Sequence, residues 1–178
     1  MLRDDERYRE MREFSRVDAR IPLEVSRVPG GMREGLRSRI SGETVPSEMR
    51  ALPDLGDKLL TDWLKMLNTK LDTLISMLVL QKEGFSSLSL ADVNISGGGM
   101  SFVSREEYKR GEVLELKMML PLLPPVALYA YGEVVKEEAE AGSRRIAVRF
   151  IAMDEKIRDE VVRFVFRRQR DLLRELRR

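Results

Sequence analysis

The chain has 178 residues, room for one domain of ordinary size with an insertion, and its formal charge is nearly balanced at +2. It contains no cysteine and no histidine, which excludes disulfide frameworks, thiolate metal sites and every Ser-His or Cys-His nucleophile, and removes most catalytic zinc sites. With no Walker-type phosphate loop, a charged N-terminus and no apolar run of membrane-spanning length, the sequence predicts a soluble, cytoplasmic protein that is not an enzyme, needs no cofactor and does not insert into membranes.

Residues 1–20 alternate acids and bases around Tyr8, Met11 and Phe14 and read as a flexible N-terminal arm. The arm ends in Arg16-Val-Asp-Ala-Arg20, two arginines four apart, directly before an alternating strand at 21–25. Basic groups at the lip of a sheet can reach a ligand on its face, although a solvated basic pair has the same spacing. Residues 28–56 carry Pro29, Gly30, Gly31, Gly35, Gly42, Pro46, Pro53 and Gly56 with little periodicity. They read as a long connector, with a short helix near 32–40, leading into an inserted element.

That element is a helix predicted over 57–83, with Asp57 as its N-cap and Gly84 just past its end. Leu60, Leu64, Leu67, Leu71, Leu74 and Leu78 follow the 4-3 spacing of a coiled-coil seam. Trp63, Ile75 and Met77 widen the stripe beyond a minimal two-stranded seam. The pattern predicts self-association into a homo-oligomer through these leucines; a core helix of the monomer is the alternative.

Downstream, strands are predicted at 85–90, 99–103, 112–119, 126–135 and 144–151, which with 21–27 makes six. Gly132 marks a candidate bulge, and an acidic turn is expected at 137–142. Between the first two of these runs lies Asp92-Val-Asn-Ile-Ser-Gly-Gly-Gly-Met100, read as a polar connection. Asn94 and Ser96 alternate and so share one side. The three glycines allow close approach to the main chain and an anion-binding concavity, while for this stretch alone a plain hairpin turn with Asx-type bonds is the better explanation. A final helix is predicted from Asp154 to Leu176, with Ile157, Val161, Phe164, Val165, Leu172 and Leu176 as its apolar stripe. Its arginine-rich end reads as a solvated basic tail, favourable with the helix dipole, with an acidic partner or nucleic acid as the alternative.

Taken together, these features resemble the PilZ domain, the bacterial receptor family for cyclic di-GMP. Its signature is Arg-x-x-x-Arg on an N-terminal arm, followed later by Asp/Asn-x-Ser-x-x-Gly after a strand. Arg16-Val-Asp-Ala-Arg20 supplies the first and Asn94-Ile-Ser-Gly-Gly-Gly99 the second; the stretch 147–165 is similar to the family's last strand and closing helix. The likeness covers residues 14–28 and 84–170. It implies a mainly β fold: a six-stranded antiparallel barrel with a C-terminal helix over 21–28 and 84–178, interrupted by an inserted linker and long amphipathic oligomerisation helix at 29–83. It implies that cyclic di-GMP is contacted by Arg16, Arg20, Asn94, Ser96 and Gly99; Arg149 joins them because it alternates with Val148 and Phe150 and so faces outward toward the same surface. Arginine suits the task because it forks onto guanine O6 and N7 or onto a phosphate, and stacks on a purine. Many relatives carry another basic residue before the first arginine, where this chain has Ser15, which leaves the ligand stoichiometry open between one and two.

The sequence thus predicts a cyclic di-GMP receptor that changes conformation on binding and signals to an unidentified effector protein. One alternative is an oligomeric scaffold of the same fold with a vestigial nucleotide site. Another is a β-barrel that binds single-stranded nucleic acid, for which few aromatics are available to stack, Tyr129 and Tyr131 being the main candidates.

Overall fold

Alternation of apolar and polar residues produces the strands of this chain, and antiparallel pairing bends them into a closed barrel. A computed structural model describes residues 15–30, 33–42 and 56–176. In chain order the elements are β1 (Val17–Arg27), β2 (Arg39–Ile40), α1 (Lys58–Lys82), β3 (Leu90–Ser96), β4 (Gly99–Ser104), β5 (Val113–Leu120), β6 (Val126–Glu140), β7 (Ser143–Ile151) and α2 (Glu155–Glu175). Pairing runs β6-β5-β1-β3-β4-β7, and β7 returns onto β6, which closes six antiparallel strands and leaves no long open edge among them. The two-residue β2 pairs with β6 through Arg39 opposite Tyr129, beyond the end of β7.

In β1, Val17, Ala19, Ile21 and Leu23 point inward while Asp18, Arg20 and Glu24 point out. They meet Ile95, Leu116, Met118, Leu128 and Val148 in the barrel core, and α2 adds Val161, Phe164 and Val165 to the same core. Each such side chain contributes about 1.5–3 kcal/mol by burial. In the C-terminal stripe, Ile157, Val161, Phe164 and Val165 are buried and Leu172 is partly covered, but Leu176 is exposed.

Several boundaries differ from the sequence reading. The strand expected at 85–90 is a short 3-10 turn, Phe85–Ser87, and β3 begins only at Leu90. The supposed connection at Asp92 is therefore strand through Ser96, because Val93 and Ile95 face the core. The turn itself shrinks to Gly97 and Gly98. Residues 17–20, placed in the arm by sequence, extend β1 by pairing with β3; residues 1–14 lie outside the described residues. The helix expected near 32–40 is not formed over its described part, where Arg39 and Ile40 make β2 instead. The acidic turn at 137–142 is mostly strand: β6 runs to Glu140, and Ala141 and Gly142 form the turn with positive φ, as a two-residue hairpin loop requires. The bulge falls between Val134 and Lys136 rather than at Gly132.

Gly132 is glycine for another reason. A Cβ there would lie 2.8 Å from Val148 Cβ in the packed core. At Gly99 the conflict is sharper, because a Cβ would lie 2.3 Å from the Val148 carbonyl oxygen, which is backbone and cannot rotate away. Gly99→Ala should therefore cost about 1–3 kcal/mol as an overpacking change. Gly30→Ala, with nothing within 4 Å of the new Cβ, should stay within about 0.5 kcal/mol. Urea denaturation checks the pair, and coincident midpoints would remove the steric account of Gly99.

Candidate functional site

The β1–β3 register joins the two polar motifs. Val17 pairs with Ile95, Asp18 with Asn94 and Arg20 with Asp92; directly opposed residues share a face, so the outward side chains of one motif meet those of the other. Asn94 Nδ2 donates to Asp18 Oδ1 at 2.9 Å, across 76 residues of sequence. Arg16 stands just before β1, level with the Ser96 end of β3. From there one row continues around the barrel: Ser96 opposes Gly99, Gly99 opposes Arg149, and Arg149 opposes Glu133. Arg16, Asn94, Ser96, Gly99 and Arg149 are thus brought to one region of the outer face, and Arg20 lies farther along β1.

These residues divide into a rigid part and a displaceable part. Ser96, expected to offer its hydroxyl to a ligand, is fully buried. Its Oγ donates to the Gly99 carbonyl at 3.2 Å and accepts from the Gly98 N–H at 3.3 Å. Phe150 N–H donates to the Gly98 carbonyl at 3.0 Å, and Arg158 of α2 donates to the Gly97 carbonyl at 2.6 Å. The glycine turn is therefore held from within, from β7 and from α2. Gly99 is small so that β4 can approach β7.

The remaining polar groups face acids. Arg20 Nε lies 3.9 Å from Asp92 Oδ1, with both side chains mostly exposed, so this contact is worth at most about 1 kcal/mol and an incoming anion can replace it. Arg149 Nη2 donates to Glu133 Oε2 at 2.9 Å, with both groups about one-third exposed, a stronger and better shielded pair. Asp18, Asp92 and Glu133 were not singled out in the sequence. Only Asp18 carried a signal, since it lies between Arg16 and Arg20 and alternation puts all three on one side. Gln169 of α2 was also missed: its Nε2 donates to Ser15 Oγ at 2.6 Å and to the Arg16 carbonyl at 3.2 Å, which fixes the root of the arm. No group of three or more acidic side chains capable of holding a metal occurs among the described residues.

The predicted seam forms a second surface. Asp57 caps α1 by accepting from the Leu59 and Leu60 N–H groups at 2.9 and 3.2 Å, worth about 1 kcal/mol. Thr61, Thr69 and Thr73 return their hydroxyls to the helix's own carbonyls. Among the described residues nothing buries any residue of α1: Leu60, Leu67, Leu71, Leu74 and Leu78 are 48–64% exposed, and only Leu64 of the six is partly covered. Among the described residues, α1 thus adds no side chain to the core of the monomer. What ties α1 to the barrel is its base. Glu83 accepts from Ser41 Oγ at 2.7 Å and lies 3.6 Å from Arg39. Arg39 lies over the Tyr129 ring at 3.9 Å, and Tyr129 meets buried Phe85 edge to face at 5.3 Å. Burial and the neighbouring Glu83 carboxylate push the Tyr129 hydroxyl pKa up. No helix among the described residues is long and apolar enough to cross a membrane.

Comparison with known proteins places this geometry. No curated protein matches the chain. Among solved structures, a pathogenic protein from Xanthomonas campestris superposes with a TM-score of 0.57 at 18% identity, over 92% of this chain and 89% of that one. It is described as a tetrameric PilZ domain self-assembled via an unusual helical bundle. At that identity the likeness is one of fold. The PilZ domain model matches residues 72–167, more than half of the chain, and includes the glycine turn while leaving Arg16 and Arg20 outside. The six-stranded barrel, its register and this match agree: the chain belongs to the PilZ domain family, a family of cyclic di-GMP receptors.

Proposed function

We propose that the protein is a cyclic di-GMP receptor without catalytic activity, acting in the cytoplasm. The observation that carries this reading is the pairing of Asp18 with Asn94, which puts Arg-x-x-x-Arg and Asn-x-Ser-x-x-Gly on neighbouring strands of one face. Arg16 and Arg20 take guanine and phosphate. Asn94 and Arg149 hydrogen-bond the ligand from the barrel, and Ser96 and Gly99 shape the turn against which it rests. The ligand's phosphates take the place of Asp92 at Arg20, which β1 holds in place, and the segment that ends at Arg16 acts as an arm drawn onto the ligand. That switch requires different ligand affinities for the two arm states, and the altered surface is what an effector protein reads.

In the same reading the protein is a homo-oligomer whose interface is the leucine seam of the 29–83 insertion. The uncovered apolar face of α1 supports this, since several leucines left in water would each forgo about 1.5–3 kcal/mol of burial. The helical-bundle tetramer described for the Xanthomonas campestris protein is consistent with it.

Calorimetric titration with cyclic di-GMP tests the receptor. Arg16→Ala and Arg20→Ala should each weaken binding by roughly 10–100-fold, the loss of one charge-assisted contact; no heat from the wild-type protein at high ligand concentration would leave an oligomeric scaffold with a vestigial site. Glu133→Gln should act in the opposite direction and tighten binding several-fold by releasing Arg149, and a weaker complex would show that Glu133 serves the ligand instead. For the seam, Leu67→Asp with Leu71→Asp should lower the mass measured by light scattering, and an unchanged mass would place the interface elsewhere.

A further inference from the structure

The arginine-rich end of α2, read from sequence as a solvated tail, does not behave as one where it faces β1. Phe164, Arg167, Arg168 and Asp171 fall at i, i+3, i+4 and i+7 and so share a helix face. That face turns toward Arg20 and Pro121, and together these residues line a cleft of about 250 Å³. Three guanidinium groups from two separate elements converge there, against one carboxylate.

The local acids compensate them poorly. Arg167 has no ion-pair or hydrogen-bond partner among the described residues. The carboxylate nearest Arg168 is Glu175 at 3.5 Å, itself well exposed, and Arg20 keeps only the loose contact with Asp92 at 3.9 Å. Cations near a helix C-terminus are favourable with the dipole, which accounts for arginines on α2 but not for their meeting Arg20, which belongs to a strand. Like charges gathered around a concavity attract an anion and hold its local concentration high. The cleft is also not purely polar, because Phe164 and Pro121 give it an apolar wall.

Its size and position define what it takes. It is smaller than the 300–1,000 Å³ typical of sites that enclose a whole drug-sized ligand, so it suits one half of a two-nucleotide ligand. Gln169, on the same turn of α2 as Arg167 and Arg168, holds Ser15 and the Arg16 carbonyl. The cleft therefore adjoins the root of the arm that carries the first motif. Resting on the cyclic di-GMP reading, we infer that α2 forms part of the nucleotide site: Arg167 and Arg168 bind one phosphate-bearing guanine half of the ligand together with Arg20. The other half lies on the open face at Asn94 and Arg149. Guanidinium planes here stack on the purine or fork onto phosphate, and Phe164 with Pro121 shields that half from water.

The experiment is a calorimetric titration of the full chain with cyclic di-GMP at low and high salt, for wild type, Arg20→Ala, the double variant Arg167→Gln with Arg168→Gln, and Arg170→Gln. Arg170 is exposed on the same helix and does not line the cleft, so it controls for net charge. The double variant should bind at least roughly tenfold more weakly, with a shallower salt dependence than wild type, while Arg170→Gln binds as wild type does. Thermal melting of each variant confirms the fold. If Arg20→Ala loses binding and the double variant does not, the inference about α2 fails alone. A loss of the same size in Arg170→Gln would mean general charge attraction and overturn it equally. If wild type does not bind, the nucleotide reading fails and this one with it.

Discussion

The antiparallel pairing of β1 with β3 is the constraint on which the rest of this structure depends. It closes one side of the barrel, and it alone brings Asp18 and Asn94 together across 76 residues. Side chains alternate with period two, so a slip of one residue would turn Arg20 inward and Ile21 outward. Burial of Val17, Ala19 and Ile21 against Val93 and Ile95 forbids that slip. The hydrophobic core thereby sets the orientation of the polar site without any polar contact having to do so. The arginines need only be outward, and the core decides that they are.

The same division of labour appears at the base of α1. The helix contributes no buried residue of its own, yet its orientation is not left free. Glu83, Arg39, Tyr129, Phe85 and Lys117 interlock where the helix meets β6 and β5. Cation–π contacts of this kind contribute about 0.5–2 kcal/mol each, depending on how dry they are. A barrel joined to an amphipathic rod through one such joint keeps the two surfaces physically separate. The apolar face of the rod stays exposed, apart from the barrel face that carries Arg20, Asn94 and Arg149.

How much of this could be read in the sequence depended on which residues faced the core. Strands β1, β5 and β7 were legible because their apolar residues alternate and the alternation reports burial. The leucine spacing of α1 and the Asp57 cap were legible for a different reason: helical period and capping are local signals that show whether or not the helix is buried. Strand β3 was partly lost: Asp92, Asn94 and Ser96 face the site, so their polarity imitated a loop, while Phe85, anchored on Tyr129, imitated a strand end. A strand whose outer face is polar up to a glycine turn loses the periodicity that would reveal it. Asp92 and Glu133 as partners of Arg20 and Arg149 could not be read at all, since cross-strand register is not a property of either segment alone. Arg167 and Arg168 were hidden likewise, because the residue that gives them meaning, Arg20, comes from the other end of the chain.

The extra residue between Val134 and Lys136 in β6 has a mechanical effect on the site. Before it, Glu133 pairs with Arg149; after it, Glu137, Glu138, Ala139 and Glu140 pair with β7 in a register displaced by one. A bulged strand bends and twists more strongly at the extra residue, so the long hairpin is two segments set at an angle rather than one straight ribbon. Its charged outer half, where Glu140 forks onto Arg145, therefore leaves the barrel in a different direction from the inner half that aligns Glu133 with Arg149.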